Sequence, residues 1–382
     1  MADLSTDFTG IRFPNPFLLA SAPPTESQNN IMRAYEAGWG GVVTKTIGLH
    51  PVVNVRGAKT KFPRIDAGGH LSMAKRRDAT VVASWNWELI SDKPIDWWVG
   101  KLSAIKKAYP DRVLVASIMA GSGSDRELLN WQTLARAVQD EGVDAIELNF
   151  SCPHMDRIDM GSNVGKDKVL CSTSTQVVKE VAKVPVWVKL TPATADITEE
   201  AEATFLGGAD AISSSNTFPS LPPVDPDTLE FEVNVDGYVS PGGLGGPAIL
   251  MQSLAKMSQL TKAFPDREFS GIGGISRFED ALAYFLLGCG TVQVATAAML
   301  DHAIGPNVIR NLTDGMAALL ERNADRGWTS LADFRGLRRD NVVAQSQIGR
   351  PESKDHRPGT ATEEEAEGYA PLTRSDRGTI QG

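Results

Sequence analysis

Asn149-Phe150-Ser151-Cys152-Pro153-His154 places a hydrogen-bonding amide and an ionisable thiol three residues apart, at the end of the apolar run Ala145 to Phe150. A lone cysteine is most often a small buried hydrophobe. The setting of Cys152 points elsewhere. Proline, which cannot donate a backbone hydrogen bond, follows at once, and then a segment rich in charge and glycine, Met155 to Lys168. That reads as a mobile active-site loop with the thiol at its base. Strand ends that give way to loops are where a barrel of strands and helices builds its active site.

Two further residues stand in the same relation to apolar runs. Lys45 follows Val43-Thr44 and Lys189 follows Val186-Trp187-Val188. Lysine is seldom buried without a partner. One such lysine would snorkel to solvent or pair with a carboxylate. Two at the same rim as Asn149 and Asn216 favour an anionic cofactor. Gly273-Gly274 and Ala295-Thr296 end the last two apolar runs. Backbone amides after strands seven and eight of a barrel commonly hold a phosphate.

The elements that must position these residues follow from periodicity. Short apolar runs at Phe17 to Ala20, Gly41 to Thr44, Val113 to Ile118, Ala145 to Leu148, Val186 to Val188, Ala211 to Ser213, Phe269 to Ile272 and Thr291 to Val294 read as eight strands. Helix-compatible sequence separates each from the next. Eight such units predict an α/β fold, a (β/α)8 TIM barrel, with a long insertion after strand two. A doubly wound sheet would want a glycine-rich turn after strand one, where this chain has Ser21-Ala22-Pro23-Pro24. The barrel is predicted over 1–335 with a capping insertion at 50–94. A polar, extended or disordered tail is expected over 336–382, where charge, proline and glycine dominate.

Composition narrows the function. The chain has 382 residues, 42% of them hydrophobic, and no run long enough to span a membrane. Its start, Met1-Ala2-Asp3-Leu4-Ser5, lacks the features of a signal peptide. Three scattered cysteines (Cys152, Cys171, Cys289) fit a reducing cytoplasm and argue against disulfides, zinc or iron–sulfur sites. No metal site is expected. A net charge of −9 disfavours nucleic acid as a partner. The segment 50–82 carries Lys59, Lys61, Arg64, Lys75, Arg76 and Arg77. It reads as a wall over the barrel mouth, as a docking surface for an acidic electron-transfer partner, or as a clamp on an anionic substrate.

The chain resembles the FMN-containing part of dihydropyrimidine dehydrogenase, within the wider dihydroorotate dehydrogenase-like group of barrels. The matching stretches, in order, include Ala20-Ser21-Ala22-Pro23-Pro24-Thr25, Thr44-Lys45-Thr46, Asn86-Trp87-Glu88-Leu89-Ile90-Ser91, Glu147 to His154, Lys189-Leu190-Thr191-Pro192, Ser215-Asn216-Thr217, Gly242 to Gly246 and Gly273-Gly274-Ile275. They run over about residues 10 to 300. His154 resembles the dihydropyrimidine branch, since the dihydroorotate branch tends to asparagine there.

The resemblance implies FMN across the barrel mouth. Ala20 and Ser21 would line its ring, Lys45 and Lys189 would face its polar edge, and Asn149 and Asn216 would also touch it. Gly243, Gly245, Gly273, Gly274, Ala295 and Thr296 would hold its phosphate. Asn86, Glu88, Asn149, Ser151, Asn216 and Thr217 would bind a planar nitrogen heterocycle, and Cys152 would be the general acid or base. The implied reaction is hydride transfer between flavin and a C=C or C–C bond of a pyrimidine-like ring. The alternatives are a dihydroorotate dehydrogenase and a catalytically inactive flavin-binding or electron-relay subunit.

Three departures from the family pattern bear on this. The chain lacks the cysteine-rich iron–sulfur segments of dihydropyrimidine dehydrogenases, so an electron-donating reductase subunit is an expected partner, beside a homo-oligomer. Trp85, Trp87 and Phe150 replace smaller residues and are expected either to pack in the core or, together, to disfavour uracil itself as the substrate. Met155 to Gly161 replaces a more glycine-rich loop.

Overall fold

Eight parallel strands close on themselves. They are β3 (Phe17–Leu19), β4 (Gly41–Val43), β8 (Val113–Ile118), β9 (Ala145–Phe150), β10 (Val186–Leu190), β11 (Ala211–Ser214), β14 (Glu268–Ile272) and β15 (Thr291–Val294), paired in that circular order. They coincide with the eight predicted runs. The structure is a computed structural model and describes residues 3–54, 64–67, 71–72, 81–153 and 157–348.

These strands read as nearly unbroken apolar runs because both faces are covered. Alternate residues face opposite ways. Outward-facing Phe17, Leu19, Leu114, Ile146, Leu148, Val188, Ile212 and Val292 join the large core shared with the helices. Inward-facing Leu18, Val43, Val113, Val115, Ala145, Trp187 and Ala211 form a separate cluster with Phe8 and Phe13. Those two phenylalanines come from a hairpin of β1 (Thr6–Phe8) and β2 (Ile11–Phe13). Phe8 meets Trp187 edge-on at 5.0 Å, and Trp187 Nε1 donates to Thr9 Oγ1. The hairpin therefore closes the N-terminal end of the barrel and leaves the C-terminal mouth as the open one.

The outer layer comprises α1 (Gln28–Ala37), α2 (Ile95–Trp98), α3 (Lys101–Ala108), α4 (Asp125–Asp140), α5 (Lys168–Lys179), α6 (Ile197–Leu206), α7 (Leu250–Ala263), α8 (Phe278–Leu287), α9 (Thr296–Leu300) and α10 (Pro306–Arg322). Helix α4 shows why such segments form. Trp131, Leu134, Ala135 and Val138 recur at helical spacing and are buried, while Ser124 caps the start by accepting from Glu127 N. None of the described helices is long and apolar enough to cross a membrane.

A second sheet stands over the mouth. It contains β5 (Arg64–Asp66), β6 (Leu71–Ser72), β7 (Val81–Asn86), β12 (Phe218–Ser220) and β13 (Gly242–Gly245), in the order β12-β13-β7-β5-β6. The excursion after β4 is thus joined to a second one after β11, which the sequence reading did not foresee. Lys59, Lys61, Lys75, Arg76, Arg77 and the chain from Arg350 onward lie outside the described residues. Residues up to Asn341 form one compact unit; residues 342–348 belong to a second, in which Gln345–Gln347 make a single turn.

Candidate active site

The described strand ends line one cleft at the C-terminal mouth of the barrel. Of the sequence-predicted residues, Ala20, Ser21, Lys45, Asn86, Glu88, Asn149, Cys152, Lys189, Asn216, Thr217, Gly245, Gly273, Gly274, Ala295 and Thr296 all border it. Gly243 and Ser151 do not. They sit directly behind, where Gly243 O accepts from Asn86 Nδ2 at 3.3 Å and Ser151 joins two asparagines. His154 lies outside the described residues.

The three asparagines are partly engaged, and what each has left can be counted. An asparagine offers two N–H donors and two acceptor lone pairs. Asn149 Oδ1 accepts from both Ser151 N (3.0 Å) and Ser151 Oγ (2.8 Å), so its carbonyl is filled. Its Nδ2 donates to Thr46 Oγ1 at 2.8 Å and keeps one donor. Asn216 is the reverse: Nδ2 donates to Ser151 O and Ser151 Oγ, and Oδ1 accepts only from Thr217 N. Asn86 donates once, to Gly243 O, and its carbonyl keeps its acceptor capacity. The cleft therefore presents a spare donor at Asn149, a spare acceptor at Asn216 and both at Asn86. A ring with alternating N–H and C=O groups complements that set.

The two lysines are held differently. Lys45 Nζ pairs with Glu88 Oε2 at 2.7 Å, both side chains nearly buried. Lys189 is 3% exposed and makes no hydrogen bond or ion pair with any described residue. Burial pulls its ammonium below the ordinary lysine value, Glu147 opposes that shift and the Lys45 charge adds to it. A buried cation bordering a cleft suits an anionic or dipolar ligand group.

At the other end of the cleft the backbone itself is the binding surface. Gly273 and Gly274 have φ of 127° and 77°. A Cβ on Gly274 would come within 2.6 Å of Leu250 Cα, and one on Gly273 within 2.2 Å of Ser253 Oγ. Only glycine fits this bend. Ser84 Oγ and Thr296 Oγ1 lie 2.9 Å apart, beside Gly245. These donors suit a phosphate, and no described cluster of His, Cys, Asp and Glu could hold a metal ion.

Of the three cysteines, none in a disulfide, only Cys152 reaches the cleft. Burial pushes the Cys171 thiol up to about 12 and also raises that of Cys289. Thr46, Ser84, Ser215, Gly246 and Gln293 border the cleft too and were not singled out from sequence. Ser84 and Gln293 were findable, each lying two residues before a predicted site residue on the same strand face.

The aromatic replacements turn away from the cleft. In β7, Ser84 and Asn86 face the cleft, so the intervening Trp85 and the following Trp87 face the other way, against Val233. Trp87 Nε1 donates to Ser240 O at 2.8 Å. Phe150 packs edge-on against Trp131 at 5.6 Å, outside the barrel. Of the two expectations for these residues, core packing is the one observed.

Comparison with known proteins agrees with this architecture. The dihydroorotate dehydrogenase family model matches residues 95–318. The chain is 37% identical over 343 residues to a chloroplastic dihydropyrimidine dehydrogenase (NADP(+)) of Arabidopsis thaliana, covering 87% of this chain and 76% of that one. It is also 37% identical over 350 residues to the NAD-dependent dihydropyrimidine dehydrogenase subunit PreA of Escherichia coli, covering 91% and 80%. Identity is 30% over 342 residues to the catalytic subunit of dihydroorotate dehydrogenase B (NAD(+)) of Thermoplasma acidophilum, covering 88% and 99%. The chain belongs to the dihydroorotate dehydrogenase family.

Proposed function

We propose that this chain is an FMN-dependent oxidoreductase that acts on the CH–CH bond of a pyrimidine, with Cys152 as the proton donor or acceptor. The observation that carries it is the spare hydrogen-bonding capacity of Asn86, Asn149 and Asn216, two donors and two acceptors at the least, gathered beside Cys152. The higher identity to dihydropyrimidine dehydrogenases than to the dihydroorotate enzyme favours the pyrimidine branch.

The residues present fit FMN. Lys189 supplies a buried ammonium for the ring's polar edge, the Gly273–Gly274 bend and the Ala295–Thr296 amides suit the phosphate, and Ala20 and Ser21 line the cleft where the ring would lie. FMN, when bound, supplies the hydride chemistry. The chain's own residues do the rest. Asn86, Asn149 and Asn216 fix the plane of the heterocycle, and Ser151 holds the last two in register through its backbone and hydroxyl. Cys152 Sγ–H gives its proton to the alkene carbon next to the one that receives the hydride, and takes it back in the oxidative direction. A free thiol's pKa of about 8.5 suits both roles near neutrality.

The test is a titration of the FMN-loaded protein with uracil, thymine, their dihydro forms and dihydroorotate, read by flavin absorbance under anaerobic conditions. Bleaching by a dihydropyrimidine, with dihydroorotate inert, is the expected result. Bleaching by dihydroorotate alone would assign the other branch.

A further inference from the structure

Glu147 plays no part in that reading, yet its surroundings set it apart. It lies on β9 two residues before Asn149, on the same inward face, and is wholly buried. Its Oε2 accepts from Ser213 Oγ at 2.8 Å and from Gln293 Nε2 at 2.9 Å. Among the described residues its Oε1 has no hydrogen-bond partner, and neither has the side-chain oxygen of Gln293. A buried carboxylate costs several kcal/mol unless a positive charge offsets it.

Two described cations face into this part of the barrel. Lys45 is taken by Glu88. Lys189 is not taken by any described side chain. Strand pairing sets Lys189 opposite Asn149, hence one pleat above Glu147 on the adjacent strand. In a parallel pair about 4.8 Å apart, with a rise of about 3.3 Å per residue, diagonal neighbours of this kind lie roughly 8 Å apart, within the reach of long side chains.

We propose that Glu147 is the counter-charge of Lys189: from below the cleft floor it keeps that ammonium protonated and in place against the ring of the bound cofactor. Glu147 does not border the cleft and is therefore a positioning residue. The idea rests on the FMN reading above.

The sign of its effect follows. The groups that face Lys189 are Glu147 on β9, Lys45 beyond β4 and Cys152 beyond β9. With Glu147 neutralised, burial and Lys45 lower Lys189 further, and Cys152 alone opposes them. A lysine that has lost its proton no longer stabilises the negative charge the ring gains on reduction.

The experiment measures the midpoint potential of bound FMN in the wild type, Glu147→Gln and Ser213→Ala, at mildly acid and mildly alkaline pH. At alkaline pH, Glu147→Gln should hold reduced FMN about tenfold less tightly relative to oxidised FMN, a potential lower by about 30 mV for the two-electron couple. At acid pH, where Lys189 is protonated in both proteins, that deficit should vanish or reverse. Ser213→Ala removes a hydrogen bond but keeps the charge and should match the wild type. A Glu147→Gln potential that is unchanged, or raised at both pH values, would overturn the proposal; so would an equal drop in Ser213→Ala. If Glu147→Gln does not fold, Glu147→Asp should show a smaller deficit of the same sign, and wild-type behaviour there overturns it. A wild type that takes up no FMN sinks both this inference and the cofactor reading, whereas bound FMN with unmoved potentials sinks this one alone.

Discussion

Ser151 shows how a residue that never borders the cleft can govern it. Its backbone N–H and hydroxyl fill the Asn149 carbonyl, and its oxygens fill the Asn216 amide nitrogen. Ser151→Ala removes the hydroxyl from both, so each asparagine gains a competing rotamer. The expected outcome is a rise of about tenfold in KM for the heterocycle, in line with the loss of two hydrogen bonds worth about 1 kcal/mol each at most, with a smaller loss of FMN affinity. Steady-state kinetics and a flavin titration check it. Cys171 and Cys289, buried with raised thiol pKa values, are packing residues. Their alanine variants should lose about 1–2 kcal/mol of stability and keep turnover, as denaturant melts and assays would show. Lys45, Asn149, Lys189, Asn216, Gly273, Gly274, Ala295 and Thr296 were legible in sequence because each lies at the end of an apolar run, whereas Asn86, Glu88 and Gly245 came only from the family resemblance. Thr46 was not, since it follows Lys45 directly and only the turn of the chain past β4 brings both into the cleft.

The eight barrel strands were legible because burial on both faces leaves an unbroken apolar signature. The mouth sheet was not. β13 is Gly242-Gly243-Leu244-Gly245, which has almost no side chains to alternate, and its partner β7 is over 150 residues earlier. A Cβ on Gly242 would meet the Trp85 ring at 2.1 Å, so the glycines there serve the tryptophan as much as any ligand. The loop after Cys152 is likewise anchored by contacts that only the fold reveals. Arg157 bonds both Glu127 and Asp159, and Asp159 Oδ2 accepts from Gly123 N at 2.9 Å. The Arg157 guanidinium holds the Asp159 carboxyl down at about 2. A depressed folded pKa contributes stability that is complete above the unfolded value, about 3.9, and is lost as pH falls through about 2. Asp159→Asn should therefore be less stable than the wild type at neutral pH, by about 1 kcal/mol after discounting for the half-exposed arginine. Near the folded pKa most of that difference should be gone. Denaturant melts across this acid range would check it.

On the scale of the whole molecule the open question is electron supply. The chain's three cysteines include two packed in the core, which leaves no thiolate set for an iron–sulfur cluster. The Escherichia coli relative is named a subunit and the Thermoplasma relative a catalytic subunit. NADPH alone should reduce the bound flavin far more slowly than the enzyme turns over with a competent donor. Stopped-flow bleaching by NADPH at the turnover rate would show that no partner is required.

The measurement that bears most directly on the proposed chemistry is the anaerobic single-turnover oxidation of reduced, FMN-loaded protein by uracil, in Cys152→Ala against Cys171→Ala. The account predicts that both variants bind FMN and substrate. It also predicts that Cys152→Ala is slower by about 10²–10⁴, the usual contribution of a positioned acid. Equal rates in the two variants would contradict it and return Cys152 to the core with the other two cysteines.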